Sequence, residues 1–377
     1  METAHPPGTP APCGPGGPPG HEPRFRMGSP ADVLAVVPYL LGFHPERSFV
    51  VIGAAGPRQR VDVGFRYDLP DPPGAADAAD IAAHAAATLR RQRISTVIGV
   101  GYGPGPLVTP VADEFAAVIR RHRLRLRELL RVEDGRYWSY LCHNVNCCPE
   151  RGVPFDCRSH PAAAALTLAG VTTYPDRLAL AATVAPLAGD AAAAATAALR
   201  RAQARALALG PGDPSAPAGL SPVVIRGRRA VRAALRAYRA GGRLASEDSL
   251  AWLLVTLAHL PVRDDAWARM LPEHRHAHLS LWRDLVRRAP GPLLPAPACL
   301  LAFTAWQAGD GALANVALDR ALAADPCYTM ALLLRDVLAT GVPPSAARPP
   351  MTPRQVARGY SGRVREGRPE SPSPGCH

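Results

Sequence analysis

The chain contains no lysine, so all 43 of its basic side chains are arginine. Asn, Ile, Met and Phe are also scarce, while Ala, Gly and Pro abound. That bias is the mark of a GC-rich coding sequence, in which arginine codons displace those of lysine. It discounts the reading that a formal charge of +12 would otherwise invite, a dedicated nucleic-acid partner. Nucleic-acid association stays only as the last of three functional readings. Cysteine is thin as well: eight in 377 residues are too few for a secreted disulfide scaffold. No apolar run reaches the roughly 20 residues of a bilayer span, because polar side chains interrupt even the longest, Leu250 to Leu260. The first 25 residues are Pro/Gly-rich, read as a disordered tail, and show no basic and apolar regions of a secretory signal. The expectation is a cytoplasmic protein with no membrane partner.

What is present is an α/β pattern followed by an all-helical one. Ser29 suits a helix N-cap, Pro30 the first turn and Asp32 the positive end of the helix dipole; Leu34, Val37 and Leu41 share an apolar face. Gly42 and Pro45 turn the chain into an apolar strand from Phe49 to Ile52. Val61, Val63, Phe65 and Tyr67 alternate with polar residues, which predicts a strand that forms a hairpin with the first across Gly56-Pro57. A helix over Asp77 to Arg93, a strand over Thr96 to Tyr102 and a helix over Val111 to Arg123 follow. The period is ambiguous from Leu124 to Val132. Asp134-Gly135 then marks a hairpin turn before a strand from Arg136 to Leu141.

This order predicts a mixed sheet with packed helices in an α/β domain at 26–209, with a cysteine-containing insertion at 142–157. Residues 210–222, mostly Gly, Pro, Ala and Ser, read as a linker. A helical domain at 223–342 and a disordered tail at 343–377 complete the plan.

Candidate chemistry is spread over several loops. His44, Glu46 and Ser48 place an imidazole, a carboxylate and a hydroxyl beside a strand end, as catalytic candidates whose bland alternative is capping of the connection. Asp264 is a fourth candidate, read first as part of a loop and cap. Gly101, Gly103 and Gly105 lie between a strand and a helix, where a phosphate cradle would sit. Pro104 and Pro106 remove backbone donors there, and no Lys-Ser/Thr pair follows, so a wide turn is the better reading. Cys142, Cys147, Cys148 and Cys157, with His143 able to replace one thiol, offer ligands for a structural zinc. Against this, neighbouring side chains on extended backbone diverge, and Cys147 adjoins Cys148, so buried free thiols and no cofactor are expected. His274 and His278, four residues apart, share a helix face, but Arg275 stands where a zinc protease needs a glutamate.

Taken together, Ser29-Pro30-Ala31-Asp32, Pro38 to Pro45, Asp68-Leu69-Pro70, Arg136 to Tyr140 with Cys142, Cys147, Cys148 and Pro149, Arg263-Asp264, Leu281-Trp282 and the block from Pro297 to Pro344 resemble the actinobacterial domain of unknown function numbered 4192. The resemblance implies no activity and gives no residue a role. Cys157 lies outside its pattern, which leaves Cys142, Cys147 and Cys148 as the thiol group. Gly309, Ala314, Leu318, Ala321 and Pro326 further resemble one tetratricopeptide-like repeat, which implies a helical hairpin able to bind protein. The leading expectation is therefore a noncatalytic interaction or regulatory protein with a protein partner. The alternative is a hydrolase or small-molecule-binding enzyme with its site at strand ends of the first domain. Oligomeric state is left open.

Overall fold

A computed structural model describes residues 28–56, 60–71, 74–210, 221–244 and 246–361. The amino-terminal tail, most of the expected 210–222 linker and the last residues of the expected carboxyl tail lie outside the described residues. The chain divides into two compact units, one of residues up to 86 with 95–177, the other of 87–94 with 178 onwards.

In the first unit the elements run α1 (Pro30–Leu41), β1 (Ser48–Ala55), β2 (Arg60–Asp68), α2 (Ala75–Arg91, of which the part from Ala87 is grouped with the second unit), β3 (Thr96–Tyr102), α3 (Gly105–Arg121), β4 (Arg125–Glu133), β5 (Arg136–Ser139), β6 (Val153–Pro154) and α4 (Pro161–Leu168). The strands form one mixed sheet in the order β2-β1-β3-β4-β5-β6. Only β3 and β4 pair in parallel, joined by α3; the other neighbours are antiparallel. The α/β expectation with a mixed sheet holds.

The start of α1 is built as its sequence dictates. Ser29 Oγ accepts the Asp32 amide, and the Asp32 carboxylate accepts the Ser29 amide at 2.8 Å, a reciprocal capping box. The helix runs on through Pro38 to Leu41 and ends on Gly42, whose φ of 76° closes it in the left-handed region. Its apolar stripe of Val33, Leu34 and Val37 covers one face of the sheet over Val50, Ile52, Ile98, Val100 and Leu130. The opposite face is covered by α3. There Phe115 lies edge-on to Phe49 at 5.2 Å, and a Cβ on Gly101 would stand 2.1 Å from Val108 Cγ1. The α3 helix opens at Gly105, earlier than the Val111 start its two prolines suggest, because Pro106 is tolerated in a first turn whose amides have no helical partner.

Among its described residues the second unit forms helices and no strand: α5 (Arg177–Ala182, entering from the first unit), α6 (Gly189–Ala208), α7 (Pro222–Arg239), α8 (Glu247–Leu257), α9 (Leu260–Trp267), α10 (Arg275–Arg288), α11 (Pro295–Gln307), α12 (Gly311–Ala324), α13 (Thr329–Ala339) and α14 (Pro353–Ser361). Its core is centred on α11, whose face from Ala298 to Ala305 is sealed, and on Trp282 and Leu285 of α10. The sequence break at 210–222 and the division at 177 do not coincide: α6 packs on α8, so the Ala-rich helix belongs with the helical unit. Two further elements differ from expectation. Val262 to Trp267, read as loop and cap, lies within α9, and α14 forms within the stretch expected to be disordered. The α14 helix packs on α9, where Tyr360 donates to Asp264 at 2.5 Å.

Candidate functional sites in the first unit

Strand direction brings distant loops to one edge of the sheet. The end of β3 (Tyr102) lies beside the start of β1 (Ser48), and the ends of β4 and β6 point the same way as that of β3. The loop before β1 and the loop after β6 therefore meet at the carboxyl end of the central strands, where open α/β sheets bind their ligands. A cavity of about 340 Å³ opens there, lined by Tyr39, His44, Cys157, Arg158, Thr167, Thr173 and Pro175.

His44 is held in place from behind. Its amide donates to Tyr174 O at 3.0 Å, and the Tyr174 amide donates back to Gly42 O at 2.8 Å. The ring presents Nδ1 to Cys157 Sγ at 3.8 Å. Burial, then the nearby Arg158 guanidinium, holds His44 below the ordinary histidine value, so the ring is an unprotonated base at neutral pH. Burial, then the Asp156 carboxylate, raises the Cys157 thiol. The pair thus rests as imidazole and thiol, not as an ion pair. Burial, then proximity to Cys157, likewise raises Tyr102, whose buried hydroxyl has no hydrogen-bond partner among the described residues. Across the cavity the Tyr39 hydroxyl and Thr167 Oγ1 pair at 2.9 Å.

The other sequence candidates do not join this cavity. Ser48 is sealed, donating to Glu46 O at 2.6 Å and accepting from Arg66 at 2.6 Å, which makes it a brace for the loop. Glu46 is exposed and does not line the cavity. His44, Glu46 and Ser48 therefore form no catalytic constellation. Gly101 and Gly103 serve backbone approach: Gly101 lets α3 close on β3, and Gly103, at φ 138°, donates its amide to Val132 O. Gly105 opens α3, where an added Cβ would stand 3.9 Å from the Arg131 guanidinium carbon. Asp264, in the second unit, accepts two bonds from Arg263 besides that of Tyr360, and is consumed in fixing α9. Cys157, Arg158, Tyr39, Thr167 and Thr173 had no signal of their own in the sequence as pocket residues. They become a set only when the sheet is assembled.

The second site is the turn after β5. Cys142, Cys147 and Cys148 bring their sulfurs within 4.8 Å of one another, with 3.1 Å between Cys142 and Cys147 and 3.5 Å between Cys147 and Cys148. The expected divergence of the adjacent pair is overturned. Both the Cys147 and Cys148 amides donate to Asn144 O, which curls the backbone out of the extended form that separates neighbours. The expected burial fails as well, since Cys147 is exposed and the other two are half-buried. Cys157 stands outside this group beside His44, and His143 is not one of its members. A hydrogen bond from Cys147 lowers the Cys142 thiol, while burial pushes Cys148 up to about 12.

Fold and sites together define a mixed-sheet unit with a ligand-sized cleft and a thiol turn, followed by a helical unit. Residues 30–345 match the family described as a domain of unknown function (DUF4192), and the chain belongs to that family. No curated protein and no solved structure matches it. Among the described residues no helix is long and apolar enough to cross a membrane.

Proposed function

We propose that the first unit binds a small molecule carrying a negatively charged group, in the cleft at the strand ends. The observation that carries this reading is the meeting of an unprotonated imidazole, a thiol and a guanidinium in one cavity of about 340 Å³, within the range of small-molecule sites. Arg158 supplies the charge that selects an anion, the hydroxyls of Tyr39 and Thr173 supply orientation, and His44 accepts a proton from the ligand or from Cys157. This is the small-molecule reading of the sequence, with its residues changed: His44 stays, while Cys157 and Arg158 replace Glu46 and Ser48.

Thermal-shift and calorimetric titration with a panel of small carboxylates and phosphate esters tests it. At least one class is expected to raise Tm. Arg158→Ala and His44→Ala should weaken that binding roughly tenfold or more, and Glu46→Gln should leave it unchanged. A panel without effect on the wild type, or equal binding by all variants, would sink the reading.

A second reading, a protein partner for the helical unit, is favoured by the exposure of Leu332 and Leu333 on α13. Affinity capture from the native host should recover a partner that the Leu332→Asp, Leu333→Asp double variant loses. Recovery of the same proteins by both forms would count against it.

A further inference from the structure

The turn after β5 is built around its sulfurs and not around an apolar core. Ser139 Oγ accepts the amides of Leu141 and Cys142, each at 3.2 Å. The Asn144 backbone oxygen takes the amides of Cys147 and Cys148, and its side chain takes that of Asn146 at 3.0 Å. At the far end Trp138 clamps the segment. Its Nε1 donates to Glu150 O at 2.8 Å, the Arg131 guanidinium lies 3.7 Å over its ring, and Gly152 leaves room where a Cβ would stand 2.6 Å from the indole. Meanwhile the apolar residue in the middle of the turn, Val145, is 66% exposed. The backbone is thus positioned at both ends and its greasy side chain points out, yet three sulfurs converge within.

The geometry points to a metal centre: we infer that Cys142, Cys147 and Cys148 together bind one thiophilic divalent ion, zinc by ligand chemistry, with its fourth position open to solvent beside the exposed Cys147. Tetrahedral zinc with Zn–S bonds of about 2.3 Å spaces its sulfurs about 3.8 Å apart. That spacing is reached here by small side-chain rotations, since all three sulfurs already lie within 4.8 Å of one another. Soft thiolates select zinc over magnesium or calcium. Binding replaces the thiol protons with three metal–sulfur bonds, releases those protons and changes no oxidation state. A disulfide explains the turn less well. It engages two sulfurs and leaves the third without purpose, and the adjacent Cys147–Cys148 pair is a strained one to bridge. The inference is independent of the cleft, because no cysteine of the turn lines it.

The test uses the full chain, purified without a metal-affinity tag, under reductant and without oxygen. Elemental analysis after dialysis should find about one zinc per chain, or the chain should take up one equivalent when zinc is titrated in. Cobalt in its place should give thiolate-to-cobalt charge-transfer absorption and the visible bands of tetrahedral coordination. Cys142→Ser, Cys147→Ser and Cys148→Ser should each weaken zinc binding roughly tenfold or more. Cys157→Ser, in the cleft, should keep full stoichiometry. Circular dichroism of the serine variants separates loss of the ion from loss of the fold. Three results would each overturn the inference. One is a wild type that neither retains nor takes up zinc. Another is zinc retained by the triple serine variant. The third is a Cys142–Cys147 disulfide recovered from the reduced preparation in place of metal.

Discussion

His44 and His278 sit in different units and meet the same electrostatic fate. Burial holds both rings below the ordinary histidine value, His278 to about 3. Their surroundings diverge from there. His44 faces a cavity, has a thiol 3.8 Å from Nδ1 and a guanidinium nearby. His278 is sealed in α10, stacked on Trp282 at 6.3 Å, with Arg239 and His274 adding to its depression. Neither His278 nitrogen makes a hydrogen bond of ordinary geometry among the described residues, though the Arg269 backbone lies close enough to favour the charged ring slightly. A depressed histidine is therefore not in itself a sign of function. What separates the two is access and a chemical neighbour, which His44 has and His278 lacks.

That contrast can be broken in three ways. The largest effect belongs to Trp282→Ala, which removes a fully buried indole from the helical core and the surface on which His278 lies. A loss of about 3–5 kcal/mol is expected in urea unfolding. A loss below about 1 kcal/mol would mean that the His278 layer is not closely packed.

Next comes acid. The unfolded chain protonates this histidine near pH 6.5, whereas the folded chain keeps it neutral down to about pH 3. The stabilisation is complete above pH 6.5 and is lost progressively as pH falls towards 3. By pH 5 the loss is about 2 kcal/mol. Denaturant curves of wild type and His278→Leu at pH 7 and pH 5 measure it: the variant should lose most of the slope over this window. Parallel slopes would show that water or a relaxed backbone solvates the ring.

The smallest stability effect is that of His44→Ala. With the ring half-exposed to the cavity, a change below about 1 kcal/mol is expected. The cost should appear instead in the cleft, as slower alkylation of Cys157 by iodoacetamide. Equal alkylation rates in the two forms would put His44 in the same class as His278.

The same distinction governs how much was legible in the sequence. Local signals carried through: the Ser29–Asp32 capping box, the β1–β2 hairpin and the Asp134-Gly135 turn, whose two residues take φ 47° and 69°, are all written within a few residues. The α9 helix was obscured because Pro261 and the run Arg263-Asp264-Asp265 resemble a loop. In fact Pro261 sits in the first turn, and Asp265 is buried between Arg228 and Arg269, whose ion pairs with it are 3.1 and 2.8 Å long. Of the cleft, only His44 and its place at a strand end could be read. His44 and Cys157 are 113 positions apart and meet only through the antiparallel pairing of β1 with β3 and the return of β6. The cysteine turn was half legible: the residue types stood in the sequence, but their convergence depends on Asn144 bending the backbone beneath them.

The sheet order has a consequence for how the chain tolerates crowding by its own kind. A sheet whose outermost strands are long, flat and apolar invites a neighbouring molecule to add its own strand. Here one margin is β6, two residues long and ending in Pro154, which has no amide hydrogen to offer. The other margin is β2, which is longer but carries the Arg66–Asp68 ion pair near its end. Among the described residues, a second copy adding a strand would meet brevity and proline at one limit of the sheet and an ion pair at the other.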